Sequence, residues 1–366
     1  MFGNGTSGDI VEIERLKEFD DHALVSFVSD AQSGLSAVIA LHRANPTVPS
    51  FGATRFWHYA SSLEGVKDAL RLARLMSYKA ALAGLECGGA KGVIIADRNP
   101  HKITGADREH LLEAYAARVN LLGGRFITGT DVGVTQEDLD TMHRVSRHVI
   151  GFNDNSTDIT VEGVLGSVRA ALTEVFGSPE LAGRSFAIQG LGKVGGGLLA
   201  RIYEPVGTTG KIFVADVDAA LVETVKGKYP RIIVVAPSEI DRQEVDVFAP
   251  CALSGAVNRR NAGKLAVKIV AGGANNQLES ESIGDTLHER KILYAPDYVA
   301  NAGGLIAVFD EYKNPSYDRA RVEKAVLHIP ETLRKIFAES RAENIAPSRV
   351  ANRMAERIFN GYTHGS

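Results

Sequence analysis

Two lysines stand in unusual company in this chain. Lys79 closes Met76-Ser77-Tyr78-Lys79, and Lys91 follows twelve residues later in Gly88-Gly89-Ala90-Lys91. Lysine ordinarily occupies exposed faces, so neighbours that are apolar or glycine suggest a task for it. A carboxylate, Asp131, sits in the glycine-flanked turn Gly129-Thr130-Asp131-Val132-Gly133. Set in one cleft, the three offer a cation to hold a substrate carboxylate and a lysine and carboxylate to move protons. The pattern alone leaves ordinary surface charges equally open.

A second group is more specific. Gln189-Gly190-Leu191-Gly192-Lys193-Val194-Gly195 is a GxGxxG turn directly after an apolar strand and opening a helix. Gly190 permits the tight turn, Gly192 lets a pyrophosphate approach the backbone, and Gly195 lets helix and strand pack closely. The helix N-terminus presents free N–H groups and a positive dipole end to phosphate. The next strand ends at Val214-Ala215-Asp216, which places an acid where a dinucleotide ribose needs an acceptor. Val217, Asp218 and Ala219 follow, with no arginine to receive a 2′-phosphate, so NAD is favoured over NADP. The bland alternative is an ordinary glycine turn with a solvated acid at a strand end.

Positioning these residues requires two α/β series. In the first, Ala23–Val28, Ser36–Leu41, Lys91–Ala96 and Arg125–Thr128 read as strands. Leu63–Leu82, about Asp107 to Leu121, and about Gln136 to Arg147 read as helices. A polar stretch, Gly151–Asp158, marks the junction, and Thr160–Phe176 begins the second series as a long helix. Strands at Ser185–Gln189, Lys211–Ala215, Ile232–Val235, Asp246–Phe248 and Val267–Ala271 then alternate with helices, as in a parallel doubly wound sheet. From Arg319 the chain is helical. The expected domains are 1–150, 151–330, and C-terminal helices over 331–366 that pack back on the first domain.

The composition agrees. The 366 residues are 45% apolar and 23% charged with 37 glycines and 12 prolines, which excludes collagen, coiled coil and disorder. Basic residues number 41 against 44 acidic, a net charge of −3, so neither nucleic acid nor an anionic membrane is an expected partner, although a small cleft can be locally basic. Cys87 and Cys251 are the two cysteines, too few for a disulfide framework or a cysteine metal site. No signal-like start and no apolar run near the ~20 residues of a membrane span are found. A soluble, cytoplasmic protein without a metal is expected.

Several ordered motifs together resemble the glutamate/leucine/phenylalanine/valine dehydrogenase superfamily, from about Val38 to Phe337. They are Phe51-Gly52-Ala53-Thr54-Arg55, the Lys79, Lys91 and Asp131 segments, the Gly190 turn, Ala249-Pro-Cys-Ala-Leu253, Gly273-Ala-Asn-Asn-Gln277 and Pro296-Asp-Tyr-Val-Ala-Asn-Ala-Gly-Gly304. The likeness is strongest to the leucine, valine, phenylalanine and tryptophan branch. It implies an N-terminal α/β substrate and oligomerisation domain, a Rossmann dinucleotide-binding domain, a cleft between them, and a homo-oligomer. It also implies NAD-dependent oxidative deamination of an L-amino acid to a 2-oxo acid and ammonia.

By position, Lys79 would hold the substrate α-carboxylate, Lys91 would activate the water that attacks the iminium, and Asp131 would relay protons at the amino nitrogen. Lys91 can act as a base only where the neutral amine is favoured, as in an apolar pocket with a second cation nearby. The resemblance places Asn276 near both substrate and nicotinamide and Thr160 near the nicotinamide amide. It places Cys251, Ala252 and Asn301 along the cofactor and Val217 beside the ribose acid. Simple loop architecture is the alternative for these. Three departures stand out: Ala90 where the leucine-type turn has glycine, Glu86-Cys87 for a more apolar pair, and Val48-Pro49-Ser50 for Gly-Pro. A charged Glu86 beside a pocket is costly unless paired or solvated.

The resemblance also bears on the substrate. Glutamate-specific relatives carry a lysine where Phe51 stands, and an aromatic ring cannot pair with a side-chain carboxylate. Gly52, Gly129, Leu305 and Val308 match other pocket positions and complete an apolar wall. A branched-chain amino acid is expected, with an aromatic one as runner-up, because one or two methylenes separate them. A catalytically silent NAD-binding homologue is the competing class, supported by Glu86-Cys87 alone. A malic-type decarboxylase would require a metal-binding acid cluster, which the sequence does not display.

Overall fold

The structure, a computed structural model, describes residues 12–44, 48–151, 156–252, 254–314 and 316–363. The start of the chain, residues 152–155 of the polar junction and Leu253 of the Ala-Pro-Cys-Ala-Leu motif lie outside the described residues. Contacts divide the chain into two units, Met1–Ser77 with Cys87–Ile150, and Tyr78–Glu86 with Gly151–Ser366.

The first unit is a mixed sheet with helices. Its elements are β1 (His22–Asp30), β2 (Leu35–His42), β3 (Ser50–Phe51), β4 (Thr54–His58), α1 (Ser62–Leu82, of which the last turn groups with the second unit), β5 (Gly89–Ala96), α2 (Gly105–Leu121), β6 (Phe126–Ile127) and α3 (Gln136–Val145). Strand order is β1-β2-β5-β3-β6, with β4 also paired to β5. β2 is antiparallel to both β1 and β5, while β3, β4 and β6 run parallel to their partners. Val66, Ala69, Leu70 and Ala73 recur at helical spacing and bury one stripe of α1 against Val38, Ala40 and Val93. That burial fixes β5, whose residues Val93 and Ile94 are fully enclosed. β3 and β4 escaped the sequence reading because they are short and Gly52 interrupts them.

The second unit holds α4 (Ser156–Phe176), β7 (Ser185–Gln189), α5 (Lys193–Val206), β8 (Lys211–Ala215), α6 (Ala219–Lys228), β9 (Ile233–Val234), β10 (Val245–Pro250), β11 (Val267–Val270), α7 (Glu281–Glu289), β12 (Leu293–Tyr294), α8 (Asp297–Ala300), α9 (Gly303–Lys313), α10 (Arg319–Val326), α11 (His328–Glu343) and α12 (Pro347–Thr363). Its strands are all parallel in the order β12-β11-β10-β7-β8-β9. This is the doubly wound Rossmann order, and the chain reverses direction across the sheet between β7 and β10, where such sheets bind ligands at their strand ends. The core under β10 and β11 is Phe248, Val257, Leu265, Val270 and Leu287.

The C-terminal helices α11 and α12 group with this second unit, and so does 78–86. Thr332 on α11 donates its hydroxyl to the Leu82 carbonyl at 3.1 Å, which ties the end of α1 to them. The expected boundary at residue 150 had given 78–86 to the first domain.

Candidate active site

Lys91 is the third residue of β5, a strand enclosed on both faces, and only 5% of it is exposed. Asp131 reaches it from the turn after β6. That turn is held to β4 by backbone bonds from Thr54 N–H to the Gly129 carbonyl and from Phe56 N–H to the Val132 carbonyl, both 2.9 Å. Lys91 Nζ lies 2.8 Å from Asp131 Oδ2. Arg55, on β4, donates its Nε–H to the same oxygen at 2.8 Å. The other side of the guanidinium meets Asp68 Oδ2 on α1 at 2.8 Å. Asp68 also accepts from the Tyr59 hydroxyl at 2.7 Å and from Arg71 Nη2 at 2.7 Å.

Burial and charge act in opposite directions on the two candidate proton carriers. Burial of Lys91 lowers its pKa, and the Arg55 charge lowers it further while Asp131 opposes both. For Asp131, burial pushes the carboxyl up, but the charges of Lys91 and Arg55 overcome this and bring it to about 2. Asp131 therefore stays ionised near neutrality, and Lys91 is the group whose proton is made easier to lose. Such a pair can take a proton from water or an amine and return it.

Phe51 is 1% exposed, with its strand paired on both sides to Gly89 and Ile127. At Gly52 a Cβ would lie 1.9 Å from the Ala90 carbonyl oxygen, so a close strand approach requires glycine there. At Gly129 a Cβ would meet the Ile150 carbonyl oxygen at 3.0 Å. Glu86 is exposed, so its charge is solvated, while Cys87 is buried.

In the second unit the glycine turn joins the end of β7 to the start of α5. Gly190 takes φ +92°, and a Cβ there would lie 2.7 Å from Ala252 Cβ. A Cβ at Gly195 would lie 2.0 Å from the Gly190 carbonyl oxygen, yet one at Gly192 meets nothing within 4 Å. Helix α5 starts at Lys193, which is exposed, while Leu191 is buried and Val194 half-buried. Asp216 accepts from Leu191 N–H at 2.7 Å through Oδ2 and from Asp218 N–H at 2.9 Å through Oδ1. A carboxylate has about four acceptor sites, so both oxygens keep capacity for ribose hydroxyls. Beside it is a cavity of about 470 Å³ lined by Asp216, Val217, Asp241, Ala252 and Asn258 among others, with no lysine or arginine among the lining residues. The Cys251 thiol, which accepts from Gly273 N–H at 3.4 Å, is pushed up to about 11 by burial, which leaves it inert as a nucleophile.

The remaining expected residues also fall in the second unit. Lys79 Nζ is 3.4 Å from Asn275 Oδ1. Asn301 donates Nδ2–H to the same oxygen at 3.0 Å and to the Gly273 and Ala274 carbonyls at 3.3 Å. Asn276 takes a left-handed φ of +51°, and its N–H is held by Asp297 Oδ2 at 2.6 Å. Burial raises the Asp297 carboxyl, which also accepts from the Tyr294 hydroxyl at 2.6 Å. Thr160 donates its hydroxyl to the Ser156 carbonyl at 2.8 Å and faces Gly304, while Leu305 is buried and Val308 half-buried on α9. Lys91 and Asp131 are thus brought together as expected, while Lys79 and its polar partner Asn275 both belong to the second unit. The sequence reading missed Asp68, Tyr59 and Asp241, and gave Arg55 no role although it quoted its motif.

Two family models match. "Glu/Leu/Phe/Val dehydrogenase, dimerisation domain" covers residues 22–148, and "Glutamate/Leucine/Phenylalanine/Valine dehydrogenase" covers 213–357. A leucine dehydrogenase of Geobacillus stearothermophilus is 39% identical over 94% of this chain and 93% of its own. A valine dehydrogenase of Streptomyces albus is 39% identical over 96% of each. The crystal structure of L-tryptophan dehydrogenase from Nostoc punctiforme superposes with a TM-score of 0.79 at 39% identity, covering 94% of this chain and 97% of that one.

Proposed function

Because the chain belongs to the glutamate/leucine/phenylalanine/valine dehydrogenase family, we propose that it performs NAD-dependent oxidative deamination of an apolar L-amino acid, branched-chain by preference. The products are the 2-oxo acid and ammonia. The observation that carries this reading is the buried contact of Lys91 Nζ with Asp131 Oδ2 at 2.8 Å. A surface charge pair has no need of a strand enclosed on both faces, whereas proton transfer shielded from water does.

Bound NAD would accept the hydride from the substrate α-carbon. The glycine turn and the α5 N-terminus would hold its pyrophosphate, Asp216 its adenosine ribose, and Thr160, Asn276 and Asn301 its nicotinamide end. Thr160 has spent its hydroxyl proton on Ser156, so its oxygen remains an acceptor for an amide N–H. Lys79 would supply the cation for the substrate α-carboxylate. Lys91, as the neutral amine, would take the proton of the water that attacks the iminium carbon. Asp131, already ionised, would receive and return the proton of the departing nitrogen.

In the first unit Phe51 and Gly129 would offer the substrate side chain an apolar surface, and Phe51 would leave no cation for a glutamate carboxylate. A panel of L-amino acids, read by NADH absorbance at alkaline pH, tests the reading. Activity on valine, leucine or isoleucine above that on phenylalanine and tryptophan is expected; no turnover of any apolar amino acid would sink it. In the same panel Phe51→Leu should shift relative kcat/KM toward bulkier substrates by no more than roughly 10–200-fold, since only hydrophobic contacts change. An unchanged ratio would remove Phe51 from the pocket.

Cofactor choice is a separate expectation. Asp216 and Asp241 would face a 2′-phosphate with no basic side chain among the described residues that line the cavity to answer it. NAD should therefore be preferred over NADP, and Asp216→Ser should narrow the gap. Equal kcat/KM for both cofactors in the parent enzyme would contradict the assignment. We also place the enzyme in the cytoplasm as a homo-oligomer. The dimerisation-domain match supports the homo-oligomer, as does Phe27, which is 60% exposed on the edge strand β1.

A further inference from the structure

A buried lysine and a buried carboxylate in contact tend to settle as a plain ion pair, which makes a poor base. Each stabilises the other's charge, so the lysine keeps its proton. The structure places a third group at this pair. Arg55 Nε and Lys91 Nζ each stand 2.8 Å from Asp131 Oδ2, so one oxygen is shared by two cations. Arg55 is itself held on its far side by Asp68, which is in turn held by Tyr59 and Arg71. The order of charges from Lys91 outward is therefore plus, minus, plus, minus, plus.

We propose that Arg55 is a positioning residue of this site: its permanent charge anchors Asp131 by Oδ2 and disfavours a second cation at Lys91, and Asp68 sets the strength of that effect. The proposal rests on the reading of Lys91 as the base. Arginine is suited to the task because it does not lose its proton in proteins, so Asp131 keeps a cationic partner after Lys91 becomes neutral. The Nε and Nη1 edges of one planar guanidinium reach Asp131 and Asp68 at once, an arrangement that a lysine ammonium does not reproduce with equal rigidity. The charged and titratable groups bearing on Lys91 are Asp131, Arg55 and Asp68, and burial acts in the same sense as Arg55.

The proposal makes predictions of opposite sign. Removing the Arg55 charge takes away a repulsion and should raise the pH at which Lys91 titrates, by roughly one unit or more for a charge that shares one carboxylate oxygen with it. Removing the Asp68 charge should lower it. General loosening of the site would hydrate Lys91 and move both variants upward.

The experiment is a pH titration of full-length protein carrying 13Cε-lysine, with the Lys91 resonance identified by its loss in Lys91→Arg. It is run on wild type, Arg55→Met, Arg55→Lys and Asp68→Asn, alongside the pH profile of kcat/KM. Arg55→Met should move the Lys91 titration and the rising limb of kcat/KM upward together, with about tenfold lower kcat/KM per unit below the limb. Arg55→Lys should restore most of the wild-type position, and Asp68→Asn should move it down. An unmoved Lys91 titration in Arg55→Met, or movement of Asp68→Asn in the same direction as Arg55→Met, overturns the proposal. Where Arg55→Met does not fold, the nearly isosteric Asp68→Asn decides, and no downward movement overturns it. If wild type turns over no amino acid, the deamination reading fails while the resonance titration still decides the role of Arg55.

Discussion

Asp131→Asn is expected to lower kcat by about 10²–10⁴-fold, the usual worth of a positioned proton carrier. The amide keeps the shape of the side chain but cannot take up a proton. Two effects must be separated here. Losing the charge also removes the partner that holds the Lys91 proton, so the rising limb of the pH profile should move to lower pH in the variant. If Asp131 served only to tune Lys91, activity would be recovered at that lower pH. With Asp131 carrying protons itself, kcat stays low at every pH. Lys91→Ala should be equally damaging, with dinucleotide affinity retained, because the glycine turn belongs to the other contact unit. Fluorescence titration with NADH and a pH series of kcat check both. Near-normal kcat for Asp131→Asn at any pH would take it out of the chemistry.

How much of this was visible in the chain depends on the range of the interactions. The dinucleotide turn was readable because its mechanism is local: a strand, three glycines and a helix start within one stretch, and the strands Ser185–Gln189 and Lys211–Ala215 have the bounds read from their apolar runs. The Lys91 and Asp131 pair was readable as a candidate because both stand in glycine-rich segments where a charge is out of place. Arg55 and Asp68 were not. On a five-residue strand Arg55 looks like an outward polar residue, and on α1 Asp68 looks like part of the polar face beside Arg71. Their meaning comes from a sheet pairing, Arg55 opposite Val93, that joins segments about forty residues apart. Lys79, twelve residues before Lys91, falls in the other contact unit because the boundary lies inside α1, between Ser77 and Tyr78, a division that no local pattern announces.

Two glycines that look alike in sequence should behave in opposite ways when alanine replaces them. At Gly52 the new Cβ would sit 1.9 Å from the Ala90 carbonyl oxygen and 2.6 Å from its carbonyl carbon. Both are backbone atoms of the strand that carries Lys91 one residue later, so no rotamer change relieves the overlap. The strands must part, and Gly52→Ala should cost about 1–3 kcal/mol or more in stability, as overpacking does. The displacement reaches the base directly, and a shift near 1 Å at a catalytic group costs about 10²-fold in rate. At Gly192 the Cβ meets nothing within 4 Å and the backbone is extended at φ −61°, so Gly192→Ala should fold with an unchanged Tm. Its methyl would instead stand where the pyrophosphate approaches, so the loss should appear in KM for NAD. Thermal melts together with kcat and cofactor KM for the two variants separate a glycine required by the fold from one required by the ligand. A normal melt and normal kcat in Gly52→Ala would mean that β3 and β5 are not packed as closely as this geometry requires.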